Sequence, residues 1–225
     1  MTALTVNEVF GPTIQGEGPS AGHRAGFVRL GRCNLECSFC DSKFSWEWSQ
    51  FDPAVELHER STADVLAQLD AMDVDLIVIT GGEPLLQQRA LGTLVEACHR
   101  RGWRTEVETN GTIAPALPVT QWNVSPKLAN AGMTHERRHR PDALRAFEAT
   151  GRAVFKFVVT DPAELDEVQA IVEECRLTDI WIMPEGTDAS VITAGMARLA
   201  GDVISRGWHL TPRLQILIWG DRRGV

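Results

Sequence analysis

The chain has 225 residues, of which 44% are hydrophobic and 23% charged, and its formal net charge at pH 7 is −8. This composition is ordinary for a globular protein and excludes a disordered tail, a collagen-like chain and a coiled coil. The acidic balance argues against a nucleic-acid partner, because duplex binding normally needs a basic surface. Since the chain contains no tyrosine, any acid–base scheme that uses a phenol is also excluded.

Features of the whole chain predict its cellular location and its number of domains. The first residues, MTALTVNEVFGPTIQGEG, lack the basic start and apolar run of a signal peptide, and no stretch approaches the ~18 apolar residues of a membrane span. The five cysteines are a poor disulfide framework, because their number is odd and three of them lie within eight residues. We therefore expect a cytoplasmic protein with no membrane partner, folded as one domain over residues 1–225 because no low-complexity linker divides the chain.

From residue 25 onward the sequence alternates strand-like and helix-like patterns. The predicted strands are 25–30, 75–80, 105–109, 122–125, 153–159, 180–183 and 214–219. Predicted helices follow a Ser61–Asp64 capping box, run through 91–98, follow Asp161 with Glu164 at the capping-box position, and cover about 190–206. This alternation predicts an α/β fold with a mostly parallel sheet. About six repeats fall short of the eight of a complete barrel, so we expect an open, partial barrel.

Polar residues recur where the predicted strands end. The loops concerned are 80–84 (TGGEP), 108–111 (ETNG), 125–127 (SPK) and 184–186 (PEG). The carboxyl ends of parallel strands meet at one edge of the sheet, where such folds place their active sites. Four loops of this kind predict one shared site.

The strongest chemical signal is the run Cys33-x-x-x-Cys37-x-x-Cys40. Three thiolates this close can converge on a metal ion or a cluster. A closed zinc site needs four ligands, and no cysteine or histidine follows Cys40 until His58. Conventional ferredoxin sites also use four thiolates. Three thiolates on a four-iron cluster would leave one iron open to a small molecule, which favours a cluster over zinc. Cys98 and Cys175 are interpreted as packing residues.

The cysteine run, followed by Gly-Gly-Glu-Pro after a later strand, resembles the radical S-adenosylmethionine (SAM) superfamily. Further motifs narrow the resemblance to the 7-carboxy-7-deazaguanine synthase family. These motifs are TIQGEG over 13–18, RLGRCNL over 29–35, CDS over 40–42, ETNGT over 108–112, SPK over 125–127 and the Trp-Gly pair at 219–220.

The resemblance implies a fold, a reaction and partners. Its members have a modified partial (β/α) barrel, here of about six parallel strands, and are commonly homodimers. They convert 6-carboxy-5,6,7,8-tetrahydropterin into 7-carboxy-7-deazaguanine, by a radical ring contraction with loss of ammonia, on the route to queuosine and other deazapurines. The implied cofactors are a 4Fe-4S cluster, SAM and Mg²⁺, and the cluster is reduced by an electron donor such as flavodoxin.

Site residues also follow from the resemblance. Cys33, Cys37 and Cys40 would hold the cluster, and SAM would bind its open iron through the methionine amino and carboxylate groups. No side chain would act as a nucleophile, because SAM carries the radical chemistry. The implied SAM contacts are Phe39, Asp41, Gly82, Glu108, Ser125, Pro126 and Lys127; the implied substrate contacts are Ile14, Gln15, Gly16, Arg29 and Thr80.

Two of these residues, and the residue implied to bind Mg²⁺, have a plain structural alternative. Phe39 could pack beside the cluster rather than on adenine, and Glu108 could be a satisfied carboxylate at a strand end. Ser42 stands where the family usually carries threonine as a Mg²⁺ ligand; it keeps the hydroxyl oxygen and loses the methyl group, but could also be an ordinary loop serine.

Two other functions remain open on sequence alone. An activase that generates a glycyl radical in a partner protein shares the three-cysteine motif, but it needs a protein-docking groove, whereas TIQGEG favours a small pterin. An interaction module that binds zinc or a cluster explains the cysteines, but gives no reason for the glycine-rich loops at the strand ends.

Overall fold

The computed structural model describes residues 3–225. The strands of these residues are β1 (Leu4–Ile14), β2 (Arg24–Leu30), β3 (His58–Arg60), β4 (Leu76–Gly81), β5 (Arg104–Thr109), β6 (Gln121–Val124), β7 (Ala153–Val159), β8 (Ile180–Pro184) and β9 (His209–Leu210). The α-helices are α1 (Pro53–Glu56), α2 (Thr62–Asp70), α3 (Gln88–Arg100), α4 (His135–Arg138), α5 (Pro141–Glu148), α6 (Leu165–Cys175), α7 (Ala189–Ser205) and α8 (Leu214–Trp219). No helix within residues 3–225 has the length and apolar character to cross a membrane.

All the strands join one sheet, in the order β3-β1-β2-β4-β5-β6-β7-β8-β9. From β2 to β9 in this order every pair is parallel, whereas β1 runs antiparallel to both β2 and β3. The sheet does not close on itself, because β3 and β9 are its two edges. The predicted α/β fold and partial barrel are thus confirmed, with seven parallel strands among the described residues where about six were expected.

The two faces of the sheet differ in character. Val107 of β5 is buried in the main core together with Leu91, Leu94 and Val95 of α3. Side chains alternate along a strand, so Glu106 and Glu108 point to the opposite face of β5 from Val107. The helices therefore cover the apolar face, and polar side chains collect on the other.

Most predicted elements are confirmed within about one residue at their ends. The strand predicted over 153–159 has those bounds in β7, and the Ser61–Asp64 capping box is present at the start of α2. One cap differs from the prediction. Asp161 caps its helical turn, but Glu164 accepts hydrogen bonds from the backbone and hydroxyl of Thr160 instead of closing a capping box.

The strand predicted over 214–219 is wrong, since these residues form helix α8. A six-residue apolar run fits a strand or a short helix equally well, and tertiary contacts decide between them. Here the Leu214 amide donates to the Gly16 carbonyl at 2.9 Å, and the Arg213 carbonyl accepts from Ile216 and Leu217, which starts a helical turn. Strand β1 was not predicted, although it is the longest strand described.

Candidate active site

A cavity of about 250 Å³ opens where the parallel strands end. Its walls come from β1 and the residues after it, the cysteine loop after β2, the loops after β4, β5, β6 and β8, side chains of β7, and the C-terminal segment. The polar loops predicted to share a site therefore do meet, as the topology of a parallel sheet requires.

The cavity gathers all the predicted site residues except Pro126, which is buried beside it. Those that line it are Ile14, Gln15, Gly16, Arg29, Cys33, Cys37, Phe39, Cys40, Asp41, Ser42, Thr80, Gly82, Glu108, Ser125 and Lys127. The cysteine loop and residues 80–82 form neighbouring parts of the wall, whereas Ile14, Gln15 and Gly16 come from the end of β1 and the residues after it. The common location supports one site; it does not by itself assign a role to any residue.

The three motif cysteines are free thiols at one wall of the cavity. Burial raises the pKa of Cys33 to about 12 and also raises the pKa of Cys37, so neither thiol ionises at neutral pH without a nearby cation. Donors already face two of the sulfurs: the Leu35 amide lies 3.4 Å from Cys33 Sγ, and the Trp46 indole nitrogen 3.2 Å from Cys40 Sγ. Such donors stabilise thiolates that bind a metal centre.

The spacing of these thiols distinguishes a cluster from a single ion. Among the described residues only one trio of His, Cys, Asp or Glu side chains has its ligand atoms within 4.8 Å of one another, and it does not include Cys33, Cys37 or Cys40. The three sulfurs are therefore spread more widely than one zinc ion requires. A cluster takes one thiolate at each of three irons, so this donor set fits a 4Fe-4S group.

Glycine allows the loop after β4 to lie directly on the cysteine loop. The Gly82 amide donates to the Leu30 carbonyl at 3.1 Å, and the Glu83 amide to the Arg32 carbonyl at 2.8 Å. A Cβ on Gly82 would overlap the Arg32 carbonyl oxygen, and Gly81 adopts a φ of +138° that side chains disfavour. The Gly-Gly pair is thus required by backbone contact beside the cysteines.

Glu83 ties this loop to the end of β5. Its carboxylate is fully buried and accepts hydrogen bonds from the Leu85 amide at 2.9 Å, the Thr109 hydroxyl at 2.8 Å and the Asn110 amide at 2.7 Å. Burial raises the pKa of Glu83 despite these donors. Because Glu83 does not line the cavity, its role in the Gly-Gly-Glu-Pro motif is to hold two loops together.

Lys127 is a cation of the cavity without an acidic partner among the described residues. Its ammonium donates to the Ser125 hydroxyl at 2.8 Å. Its backbone carbonyl accepts from Arg138 at 2.9 Å, which fixes the Ser-Pro-Lys turn. The positive charge acts on the Cys37 thiol and lowers its pKa against the effect of burial. This arrangement leaves Lys127 free to bind an anionic group beside the cysteines.

A buried ionic network crosses the other part of the cavity. Lys156, in the middle of β7, contacts the carboxylate of Glu17 and lies 3.8 Å from that of Glu108. Burial would lower the pKa of Lys156, but the two carboxylates raise it above its ordinary value. For Glu108 burial outweighs the attraction of Lys156 and raises the pKa, while Gln15 donates to its carboxyl at 3.1 Å.

Arg213 extends this network to the cysteine loop. Its guanidinium lies 3.2 Å from the Glu17 carboxylate, contacts Asp41 and donates to the Gly186 carbonyl at 2.8 Å. Burial alone would raise the pKa of Glu17, but Lys156 and Arg213 together lower it to about 2. Glu17 is therefore ionised at all ordinary pH values.

Arg29 and Ser42 occupy different surroundings. The Arg29 Nε donates to Glu8 at 2.8 Å, and the guanidinium lies 5.3 Å from the centre of the Phe10 ring. Because only Nε makes a side-chain hydrogen bond among the described residues, the terminal nitrogens of Arg29 are available to a ligand. The Ser42 hydroxyl lies 3.7 Å from Cys40 Sγ, at the edge of the same cavity.

Comparison with known proteins identifies the family. Residues 28–135 match the model of the radical SAM superfamily. The chain is 36% identical to 7-carboxy-7-deazaguanine synthase of Halobacterium salinarum over 97% of this chain and 91% of the relative, and 35% identical to that of Hyperthermus butylicus over 96% and 93%. The crystal structure of QueE from Escherichia coli superposes with a TM-score of 0.73 at 26% identity and covers 94% of each chain.

The chain belongs to the 7-carboxy-7-deazaguanine synthase family. It is a radical SAM enzyme, and membership of that superfamily implies a 4Fe-4S cluster and SAM as cofactors. The resemblance stated from the motifs is confirmed. A small-molecule enzyme is thereby favoured over a protein-activating enzyme and over a zinc-binding module.

The polar residues of this synthase cavity that were not predicted as site residues include Glu17, Lys156, Arg213 and Gln215. Glu17 lies inside the TIQGEG motif, but nothing there separates it from its neighbours. Lys156 did leave a signal, since it is the one charged residue of the apolar strand AVFKFVV. A lysine in such a position is expected to be buried with a partner. Arg213 and Gln215 flank the start of α8, which was predicted as a strand.

Proposed function

We propose that this chain binds SAM and 6-carboxy-5,6,7,8-tetrahydropterin side by side in the one cavity, and converts the pterin into 7-carboxy-7-deazaguanine with loss of ammonia. The observation that carries the proposal is the division of the cavity. Three free thiols and an unpaired lysine lie in one part, and a buried ionic network beside the TIQGEG motif lies in the other. This division gives each of the two ligands its own set of charged contacts.

The cysteine wall would hold the cofactors. Cys33, Cys37 and Cys40 are the cluster ligands in this proposal, and the cluster with SAM, when bound, supplies the 5′-deoxyadenosyl radical. The chain's own residues position SAM. Lys127 would pair with its methionyl carboxylate, because within residues 3–225 it is a cation of this wall that has no carboxylate partner. Gly82 also lines this wall, and its lack of a side chain lets the loop after β4 lie directly on Arg32 beside the first cysteine.

The remaining SAM contacts are assigned by position. Phe39 lies between two cluster ligands, and Ser125 and Pro126 form the turn that presents Lys127. Asp41 is held by Arg213 at the exposed end of the cysteine loop. These residues enclose SAM and exclude water from its reactive carbon.

Residues of the ionic network and their neighbours would bind the pterin. Gln15 offers an amide and Glu108 a carboxyl whose pKa burial raises, so together they can donate to and accept from the edge of the heterocycle. Ile14, Gly16 and Thr80 would complete the wall against the ring. The terminal nitrogens of Arg29 would pair with the substrate carboxylate, for which a guanidinium has matching geometry.

A Mg²⁺ ion would bind at Ser42. Its hydroxyl is a hard oxygen ligand beside the cysteine wall, and Mg²⁺ commonly completes its coordination with substrate oxygens and water. The ion would offset the negative charge of a carboxylate substrate in an acidic protein. Serine lacks the methyl group of threonine, so we expect a less rigidly held ligand than in most of the family.

Assembly and reduction complete the proposal. We infer a single radical SAM domain over residues 1–225 that forms a homodimer in the cytoplasm. The α8 residues Leu217, Ile218 and Trp219 support dimerisation, since they expose apolar surface. An electron donor such as flavodoxin would reduce the cluster.

The first experiment tests the cluster. Anaerobically reconstituted protein should show the broad brown absorbance of an iron–sulfur cluster and should cleave SAM when reduced. Cys37→Ala should lose both, whereas Cys98→Ala, which removes a buried thiol from α3, should keep both. A Cys37→Ala protein that retains its iron and SAM cleavage would rule out the assigned ligand set.

A further inference from the structure

A second group of metal-binding side chains lies outside the cavity, where the residue after α4 meets the end of α6. His139 Nε2 lies 2.8 Å from Glu174 Oε2. The Cys175 sulfur joins them, and the three ligand atoms all lie within 4.8 Å of one another. Within residues 3–225 this is the only trio of its kind, and none of the three lines the candidate active site.

A fourth donor lies beside this trio. His135, at the start of α4, is four residues before His139, and the centres of the two imidazole rings are 4.7 Å apart. A His-x-x-x-His spacing is typical of zinc sites. His135 is exposed and Glu174 is half exposed, whereas His139 and Cys175 are buried. The group is thus open on one side to an ion from solvent and closed on the other.

We propose that His135, His139, Glu174 and Cys175 form a zinc site that joins α4 to α6. Two imidazoles, one carboxylate and one thiolate are a complete tetrahedral donor set for Zn²⁺. Zinc–ligand bonds of about 2.0–2.3 Å place neighbouring ligand atoms roughly 3.3–3.8 Å apart. Separations in the trio that approach 4.8 Å must therefore shorten by about 1 Å, and the 2.8 Å between His139 Nε2 and Glu174 Oε2 must lengthen. On binding, zinc forms bonds to two imidazole nitrogens, the Glu174 carboxylate and the Cys175 sulfur. The S–H bond of Cys175 breaks and its proton goes to water, while the hydrogen bond between His139 and Glu174 breaks and the ring N–H proton moves to the other ring nitrogen. Nothing is oxidised or reduced.

The surroundings of Cys175 agree with this step. Burial raises the pKa of the Cys175 thiol to about 11, with Glu174 and Asp142 acting in the same direction and Arg145 against it. Without a cation the thiol therefore keeps its proton at neutral pH. A bound divalent ion supplies the charge that stabilises the thiolate, and it does so more strongly than any side chain nearby.

The site would act on the synthase through the residues next to His139. Arg138 donates to the Lys127 carbonyl at 2.9 Å and pairs with Glu167 of α6 at 2.7 Å. Arg137 pairs with Glu36 of the cysteine loop at 2.7 Å. An ion that fixes the end of α4 thus also fixes the turn that carries Lys127 and one side of the cysteine loop.

The test measures metal content in the reconstituted holoenzyme after exposure to Zn²⁺ and removal of loosely bound ions. We expect about one zinc ion per chain together with an unchanged iron content, and a zinc X-ray absorption spectrum with one sulfur ligand. His139→Ala and Cys175→Ser should lose the zinc and keep the iron. Cys98→Ser should keep both metals, and Cys37→Ala should lose iron but keep zinc.

The outcomes separate this site from the cluster site. The proposal is overturned if the wild-type holoenzyme retains no zinc, if Cys175→Ser and His139→Ala hold as much zinc as Cys98→Ser, or if the spectrum shows three sulfur ligands, which would place the ion on the cluster cysteines. Iron content serves as the internal measure of folding. If Cys175→Ser loses iron as well, Glu174→Gln, which is half exposed and replaces one oxygen ligand, provides the second test through its zinc content alone.

Discussion

At the scale of single residues, the role of Lys127 follows from charge. Arg213, Lys156 and Arg29 all have carboxylate partners, whereas Lys127 contacts only a hydroxyl among the described residues. An unpaired cation beside a cavity is a ready partner for an anionic ligand. We propose that in this chain the ligand is the methionyl carboxylate of SAM.

Lys127→Met should therefore weaken SAM binding. A charge-assisted hydrogen bond is worth about 1.5–3 kcal/mol, which corresponds to a roughly 10- to 150-fold rise in the dissociation constant. The measurement is equilibrium binding of SAM to the reconstituted protein, with iron content as a check on the cluster. Arg100→Gln, an exposed substitution on α3, is the control and should bind SAM normally. Unchanged SAM affinity in Lys127→Met would remove this residue from the SAM site.

At the scale of elements, the site depends on loops that lie on one another without intervening side chains. The loop after β4 donates one backbone hydrogen bond to the end of β2 and one to the cysteine loop, and the absence of a Cβ at Gly82 permits that approach. A glycine in a helix can be replaced by alanine without such a clash. Gly92 lies in α3, where an added Cβ would meet Leu117 at an ordinary 3.8 Å.

These two glycines make a matched pair of variants. Gly82→Ala should force the two loops apart and reduce both cluster retention and SAM binding. Gly92→Ala should raise the free energy of unfolding by about 0.5–1 kcal/mol, because alanine favours the helix, and should leave the site intact. Iron content, SAM binding and urea unfolding measure the three effects. If Gly82→Ala keeps the iron and SAM affinity of the wild type, the close approach of the loops is not needed.

The ionic network makes a different connection, between the segment after β1, strand β7 and the residue before α8. Its centre is Glu17, whose pKa falls from an ordinary 4.5 to about 2 because Lys156 and Arg213 outweigh its burial. A carboxyl with a lowered folded-state pKa contributes stability above pH 4.5 and loses it as the pH falls toward 2.

Glu17→Gln should accordingly destabilise the fold at pH 7. Loss of one partner from a buried ion pair costs about 3–5 kcal/mol, and we expect the lower end because Glu108 and Asp41 still face the two cations. In the cluster-free chain the difference from wild type should narrow as the pH falls below about 4.5. Urea unfolding across this range measures it. Glu96→Gln, in an exposed pair on α3, should change stability by less than about 0.5 kcal/mol. A difference that stays constant down to pH 3 would contradict the assigned pKa.

Some strands and helices could be predicted from the sequence and others could not. Strands such as β7 were predicted because apolar, β-branched runs between turns have few alternatives. Strand β1 was missed, since its eleven residues mix polar and apolar side chains and its register with β2 is interrupted twice. Helix α8 was misassigned because its conformation depends on contacts to Gly16 and Glu17, some two hundred positions away.

The residues of the site also fall into those that the sequence could predict and those that it could not. Residues that belong to short motifs, such as Cys33 or Gly82, could be placed in the cavity from their neighbours in sequence. The network residues Lys156 and Arg213 could not, because each is a single polar side chain whose partner comes from a distant part of the chain. Ion pairs across a sheet carry no local pattern, so only the three-dimensional arrangement reveals them.

At the scale of the whole molecule, the open sheet provides one edge at which both halves of the site meet. The early strands supply the cysteines and the TIQGEG residues, while β7 and the C-terminal segment supply Lys156, Arg213 and Gln215. The cavity is complete only when the segment after β1 and the C-terminal segment lie next to each other. Ligand binding in this cavity therefore depends on the complete fold and not on a single motif.

The most direct measurement is product formation by the intact enzyme. Reconstituted protein is incubated anaerobically with SAM, a reductant, Mg²⁺ and 6-carboxy-5,6,7,8-tetrahydropterin, and the products are resolved by mass spectrometry. We predict 7-carboxy-7-deazaguanine and ammonia from the wild-type chain, and neither product from Cys37→Ala. A wild-type protein that carries a full cluster and cleaves SAM, yet forms no 7-carboxy-7-deazaguanine from this pterin, would contradict the account.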